Sequence, residues 1–436
     1  MKEIRLGLLG WGTIGQGVIK LLRQNSKEIE RRLGARLRLA GVADPDLKRA
    51  RKINVRKSLL TAEPMDLIRD PRIHIIIELI GDLPGVKGLM LAALKQGKSV
   101  VTANKALIAK HGDEIFRTAE RHGQDIYYEA SVGGGIPVIR VMREGLAANR
   151  IQAILGIVNG TCNYILTEMA ECRGDYAEIL KNSQRLGYAE ADPRADVDGL
   201  DSAHKLAILV RLGFGLPVDL KHIFREGITK ITPLDIEAAR EFGYAVKLLA
   251  IAKLSEGRVE ARVHPTLIPV DSLLASVSGV FNGIYVTGNM TGPTLYYGQG
   301  AGMEPTASAV VSDCMELARS IFDGRVCRRL PSGAFHNERN TGLEPKSMSE
   351  IKSLYYLRLV VRDQPGVLSR VAGILAKDKI SISQVIQRGP RGGNSVPIVI
   401  MTHEAKESSV QKAISGINRL RVVLEPVQMM RIETQL

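Results

Sequence analysis

Short apolar runs alternate with helical or mixed segments through the first part of the chain. Ile4 to Leu9 reads as a buried strand, Gly10 to Gly15 as a turn, and Val18 to Arg23 as the opening of a helix. Further strand-like runs lie at Leu37 to Val42, Ile73 to Ile80, Ser99 to Thr102 and Ile126 to Tyr128, with segments such as Gly85 to Gln96 and Asp113 to His122 between them. Alternation of this kind predicts parallel strands joined by crossover helices, an α/β fold with a doubly wound sheet.

After about residue 135 the rhythm changes. Arg150 to Val158 and Gly257 to Val286 are strand-rich with polar helices between them, which predicts an α+β domain. Leu330 to Ser349 is polar, without a clear period, and reads as a linker. From near Ile351 the pattern is strand (Tyr355 to Val361), turn (Arg362 to Gly366), helix (Val367 to Lys377) and strand (Ser381 to Gln387). A glycine hairpin (Gly389 to Gly393), strand (Ser395 to Thr402), helix (Lys406 to Asn418) and strand (Val422 to Glu425) complete it. That βαββαβ order is ferredoxin-like. The expected divisions are 1–135, 136–330, a linker at 331–350, and 351–436.

Composition narrows the class. Hydrophobic residues at 45% and charged residues at 24% match an ordinary soluble protein and exclude a disordered chain. No apolar stretch reaches the roughly 20 residues needed to cross a bilayer, so no membrane partner is expected. MKEIRLGLLGWG flows into a glycine turn without a cleavage site and gives no signal peptide. Cys162, Cys172, Cys314 and Cys327 are scattered, with no Cys-x-x-Cys pair, which argues against a zinc knuckle or a disulfide framework and suits the cytoplasm. The net charge of +14 is spread along the chain and aromatic residues are only 4%, so a basic solvated surface is expected and no nucleic-acid partner.

Gly10-Trp11-Gly12-Thr13-Ile14-Gly15 is a G-x-G-x-x-G placed after a strand and at the start of a helix, the context of a Rossmann-like dinucleotide site. Gly10 permits the tight turn, Gly12 lets backbone approach a pyrophosphate, and Gly15 allows close helix packing. Thr13 and Ile14 offer N–H groups at a helix N-terminus. Asp44 ends the second strand where a carboxylate can bond a ribose hydroxyl. The charged Asn25 to Arg36 stretch is read as an extension of the first helix. Lys48, Arg49 and Arg51 follow Asp44 and could hold a 2′-phosphate, so NAD and NADP are both allowed.

The densest polar stretch runs from Gly187 to Lys205, GYAEADPRADVDGLDSAHK. From Asp201 onward it reads as a helix with Asp201 and Lys205 at i and i+4, on one face. A lysine beside carboxylates in a closed site can deliver a proton to a carbonyl oxygen as a hydride arrives. Taken alone, the stretch suits a surface ion pair or a calcium loop as well.

With Val100 to Lys105, Tyr128 to Pro137 and Gly156 to Tyr164, this stretch resembles the homoserine dehydrogenases over roughly residues 1 to 330. The resemblance implies NAD(P)-dependent interconversion of L-homoserine, a small-molecule substrate, and L-aspartate 4-semialdehyde, on the route to threonine, methionine and isoleucine. By the same resemblance Lys205 is the proton donor and Lys105 a second lysine at nicotinamide and substrate. Glu190 and Asp201 bind the amino and hydroxyl ends of homoserine, Gly187 adds a backbone contact, and Gly302 approaches the cofactor. A monovalent cation, usually sodium, sits on backbone carbonyls at positions matching Glu129, Val132, Gly134 and Ile136. Carbonyl oxygens in a glycine-rich bend suit a hard ion.

Leu357 to Leu368, with Asp363-Gln364-Pro365-Gly366, resembles the opening of ACT domains. Asp363 is expected to cap the helix that follows, and Asp363 to Gly366 to receive the carboxylate of an amino-acid effector. The resemblance points to threonine as effector and to a homodimer or homotetramer. The alternative is a ligand-sensing regulator on a degenerate dehydrogenase fold, which would have lost Lys205, Glu190 or Asp201; all three are present.

Overall fold

The computed structural model describes residues 2–324, 326, 331–336, 342–387 and 395–434. The chain forms two compact units, each assembled from separate stretches. One contains Met1–Ile154, His204–Leu220 and Asn282–Leu343; the other contains Leu155–Ala203, Lys221–Phe281 and Glu344–Leu436.

The first unit carries a parallel sheet of β1 (Glu3–Leu9), β2 (Arg36–Ala43), β3 (Leu60–Thr61), β4 (Ile75–Glu78), β5 (Ser99–Thr102) and β6 (Ile126–Tyr127), in the order β3-β2-β1-β4-β5-β6. Every residue of β4 and β5 is buried, as strands covered on both faces require. The strand order reverses between β1 and β4, which pair from Leu6↔Ile75 to Leu9↔Glu78. A crevice at the carboxyl ends of strands on either side of such a reversal is where a ligand binds in open α/β sheets. The helices of this region are α1 (Thr13–Gln24), α2 (Ser26–Leu33), α3 (Pro64–Arg69), α4 (Val86–Lys95) and α5 (Lys105–Arg121). A long later helix, Met303–Phe322, contributes Ala307, Val310, Val311, Cys314 and Leu317 to the core built on β1 and α1.

Two elements depart from the apolar pattern. The first helix does not run on through Asn25, which separates α1 from α2 at φ −103° and ψ 15°. Its short polar side chain competes with the helical backbone. Helix α5 starts at Lys105, well before Asp113, because the Asn104 side chain caps it by accepting the Leu107 N–H at 3.1 Å.

The second unit is organised on an antiparallel hairpin, Tyr244–Ser255 with Arg258–Pro269, in register from Ser255↔Arg258 to Tyr244↔Pro269. Its C-terminal part has the expected βαββαβ order: Lys352–Arg362, Val367–Lys377, Ile382–Gln387, Ser395–Thr402, Glu407–Ile417 and Gln428–Ile432. The Gly389 to Gly393 hairpin lies outside the described residues. The last strand is not Val422 to Glu425, of which only Val423 bridges to Val361. Instead Gln428–Ile432 pairs antiparallel with Lys352–Arg362 and, on its other side, parallel with the hairpin through Thr266↔Arg431 and Leu267↔Ile432. Two further short pieces lie along the same hairpin strand: Phe224–Arg225 at Arg262 and Val263, and Glu344–Pro345 at Arg258 and Val259.

Candidate functional site

The glycine turn of the first unit is shaped by what cannot fit there. Gly10 has φ +98°, and a Cβ on it would lie 2.6 Å from the Leu79 carbonyl oxygen; one on Gly15 would lie 2.2 Å from that of Gly10. At Gly12, by contrast, a Cβ would meet nothing within 4 Å. Backbone is therefore packed tightly on the sheet side and open where a phosphate can approach. Helix α1 begins at Thr13 with no side-chain cap on Gly12 and no acid in its first turn, so its N-terminus keeps its affinity for an anion.

Asp44 is tied to this turn. It accepts the Trp11 N–H at 2.8 Å and the Asp46 N–H at 3.0 Å, and it pairs with Arg51 Nη2 at 2.7 Å. Arg51 lies over the Trp11 ring, 4.3 Å from its centroid, and donates through Nε to the Trp11 carbonyl. Of the three cations after Asp44, it is Arg51 that folds back over the acid, with only 3% of its side chain exposed.

Across the strand-order reversal, Glu78 organises the ends of β4 and β5. Its carboxylate accepts the N–H groups of Ile80 and Gly81 and the Thr102 hydroxyl at 2.6 Å, and burial pushes its pKa up. Asn104 Nδ2 donates to the Gly81 carbonyl at 2.8 Å. Lys105 is the first residue of α5, directly after this cap, so its position is set from both strands. Glu78 escaped notice in the sequence because a single acid inside an apolar run looks like an interruption.

The bend from Glu129 to Ile136 is anchored at its start. The Glu129 carboxylate accepts the N–H groups of Ile139 and Arg140 at 2.8 Å each, and its own N–H donates to Asp313 at 2.9 Å. Further on, Gly135 donates to the Gln299 carbonyl at 3.1 Å. Gly134 has φ +54°, and a Cβ there would lie 2.6 Å from the Gly300 carbonyl. The bend holding Gly134 and the turn holding Gly302, which caps Met303–Phe322, therefore touch through bare backbone. Behind Gly300 lies Asn282, fully buried, with neither amide atom hydrogen-bonded among the described residues. Among the described residues, no group of three or more His, Cys, Asp or Glu is placed to hold a metal ion.

In the second unit, the loop around Glu190 is stitched to the helices Gly160–Cys172 and Tyr176–Arg185. Thr161 Oγ1 donates to the Tyr188 carbonyl at 2.7 Å, and Gln184 Nε2 donates to the carbonyls of Glu190 and Ala191. Gly187 and Glu190 are exposed, and Gly187 has φ +78°. Asp201, 8% exposed, receives a hydrogen bond of 2.9 Å from Asn159, whose amide also bonds Asp196 at 2.7 Å. Asp196 stood among the carboxylates of the Gly187 to Lys205 stretch and Asn159 within Gly156 to Tyr164, but neither was given a role; the signal available was Asn159 immediately before Gly160 at a helix start. The helix Leu200–Phe214 carries Asp201 and Lys205 one turn apart, as their spacing predicts.

At the C-terminal turn, Asp363 does not cap the helix. Gly366 is the N-cap, at φ +83° with no side-chain bond, and Asp363 stays exposed. A left-handed N-cap needs glycine rather than a side-chain acceptor and leaves the first helical N–H groups uncapped.

Residues 137–315 match the homoserine dehydrogenase family, 10–129 the homoserine dehydrogenase NAD binding domain, and 355–421 the ACT domain. The chain is 43% identical to a homoserine dehydrogenase of Neisseria gonorrhoeae, over 100% of this chain and 99% of that one, and 40% identical to one of Bacillus subtilis, over 99% of each. A crystal structure of a homoserine dehydrogenase from Thiobacillus denitrificans superposes with a TM-score of 0.94 at 43% identity, covering 100% of this chain and 99% of that one. A hyperthermophilic archaeal homoserine dehydrogenase in complex with NADPH gives 0.61 at 26% identity, over 72% of this chain and 97% of that one.

Proposed function

The chain belongs to the homoserine dehydrogenase family, and from that premise we propose that it interconverts L-homoserine and L-aspartate 4-semialdehyde with NAD or NADP. When bound, the nicotinamide supplies the hydride to the aldehyde carbon, or takes it from the same carbon of homoserine. The glycine turn fits such a cofactor, being closed to a Cβ at Gly10 and Gly15 and open at Gly12, where Thr13 and Ile14 add N–H groups. Gly302 lies in the second backbone turn of that unit.

The Lys205 ammonium gives a proton to the aldehyde oxygen as the hydride arrives, and takes it back in oxidation. Lys105, fixed behind the Asn104 cap, adds positive charge where the oxygen becomes an alkoxide. Asp201 accepts a hydrogen bond from the hydroxyl end of the substrate, Glu190 pairs with its ammonium group, and Gly187 adds a backbone contact. The observation that carries this reading is the Asp201–Lys205 pair, one turn apart on Leu200–Phe214, with the acid held by a buried amide.

A monovalent cation, sodium in this reading, suits the carbonyls of Glu129, Val132, Gly134 and Ile136. Supporting it are the bare glycine contact at Gly134 and the unpartnered Asn282 amide behind Gly300. Its role is structural. Threonine bound at Asp363 to Gly366 would inhibit from the ACT domain, in a cytoplasmic homodimer or homotetramer. Initial rates of homoserine oxidation with each cofactor, with and without threonine, test the whole reading. Absence of turnover with both cofactors would sink it.

A further inference from the structure

Asn159 does two things with one amide. Its side-chain oxygen accepts the Cys162 N–H at 2.8 Å and caps the helix Gly160–Cys172. That bond determines which end of the amide is oxygen, so the NH2 group must face the other way. On that side Nδ2 donates to Asp196 Oδ1 at 2.7 Å and to Asp201 Oδ2 at 2.9 Å. An amide nitrogen has two hydrogens, and each carboxylate receives one.

The setting makes those two bonds matter. Asn159 is 5% exposed and Asp201 8%. Asp196 is partly buried, and two acids drawn together repel one another, which a donor shared between them offsets. Asp196 is also held through its backbone, where its carbonyl accepts the Cys162 thiol at 3.3 Å. A helix cap alone does not explain an asparagine here, because Ser or Asp caps as well. Only asparagine supplies a cap oxygen together with two N–H donors on one short side chain.

We propose that Asn159 is a positioning residue for the reaction, an amide clamp that fixes the Asp196 and Asp201 carboxylates side by side as acceptors. The proposal rests on the assignment of Asp201 to substrate. Asp201 then meets the substrate hydroxyl with its carboxylate held in place by the Asn159 amide.

The test uses the full-length enzyme and two variants that keep a cap oxygen while losing the NH2 group, Asn159→Ser and Asn159→Asp. Expected are a lowered melting temperature that stays above the assay temperature, unchanged cofactor Kd, and a fall in kcat/KM for homoserine of roughly 10- to 100-fold, as when an outer hydrogen-bond partner of an active group is removed. In Asn159→Asp the loss should shrink toward acid, because a protonated carboxyl can restore one donor; a cap alone would show no such pH profile. Parental kcat/KM in Asn159→Asp at every pH, or equal losses of melting temperature, cofactor affinity and kcat/KM in both variants, overturns the proposal. Asp201→Asn, assayed alongside, separates two failures. If it leaves homoserine kinetics unchanged, the assignment of Asp201 falls and the proposal with it; if it is impaired while the Asn159 variants are not, only the clamp is wrong.

Discussion

Arg358 donates through Nε to Oδ1 of Asp235 at 2.7 Å, and Asp235 has no surface open to solvent. The Tyr356 hydroxyl reaches the same oxygen at 2.9 Å, while Asp235 Oδ2 accepts the Thr232 N–H at the start of the helix Pro233–Glu241. Arg431 makes a parallel link: Nε and Nη2 bond Glu407, and Nη1 reaches Glu226 at 3.1 Å. Buried ion pairs thus fasten the C-terminal βαββαβ fold to the rest of its unit.

Arg358→Ala should therefore cost about 3 to 5 kcal/mol, since it strands a buried carboxylate. A chain cut after Ser349 should be poorly soluble or low-melting rather than a healthy enzyme freed of inhibition, because it exposes Asp235 and a strand edge together. Urea unfolding and sedimentation check both. A truncated enzyme that unfolds at the parental midpoint would show these pairs to be dispensable.

Lys205→Ala is expected to lower kcat by roughly 10²- to 10⁴-fold, the usual worth of a general acid. Cofactor affinity, measured by quenching of nicotinamide fluorescence, should stay as it was. A loss below about tenfold is too small for a proton donor.

In the proposed function, Arg51 sets how Asp44 acts on cofactor choice. With its guanidinium on the carboxylate at 2.7 Å, repulsion of a 2′-phosphate is cancelled, and Asp44→Ala, which leaves that guanidinium unpaired, should shift the preference toward NADP. Arg51→Ala should shift the kcat/KM ratio toward NAD by roughly tenfold or more, given about 1.5 to 3 kcal/mol for a charged hydrogen bond. The same ratio in parent and Arg51→Ala would mean that the pair does not face the adenosine ribose.

Lys247 gives the second unit a pH signature. Burial lowers its pKa to about 8, and its ammonium donates to the Val277 carbonyl at 2.6 Å. A folded-state pKa below the unfolded value of 10.5 means that the unfolded chain binds more protons between those limits. The penalty for charging Lys247 is thus complete below about pH 8 and is relieved as pH rises toward 10.5. Lys247→Met should raise the melting temperature at neutral pH and flatten its dependence over that range. Parallel curves for the two proteins would exclude this contribution.

What the apolar pattern disclosed, and what it hid, divides along physical lines. Helix Val367–Lys377 and strand Ser99–Thr102 fall where periodicity puts them, because propensity and burial agree there. The glycine turn was equally legible, since Gly10 and Gly15 answer local steric demands and Gly12 leaves the turn open. The last strand was misplaced because Val422, Val423 and Leu424 look more apolar than Gln428 to Ile432, yet the true strand buries Arg431 against Glu407. Paired charges are counted as surface when read singly. Asn159 and Glu78 were missed for a related reason: a buried polar residue is recognised by its partners, and Thr102, Asp196 and Asp201 lie 24, 37 and 42 residues along the chain from them.

One edge of Arg258–Pro269 is covered by three short patches, from Phe224–Arg225, Glu344–Pro345 and Gln428–Ile432. The last of these is translated long after the hairpin it completes. During synthesis the hairpin must wait with part of its edge unpaired, and pairing across so large a sequence separation is slow. An open edge of that kind is a template for another chain. The interval between emergence of Pro269 and arrival of Ile432 is therefore a time when this edge is open to misassembly, and a slower end to translation lengthens it without altering a single contact in the finished fold.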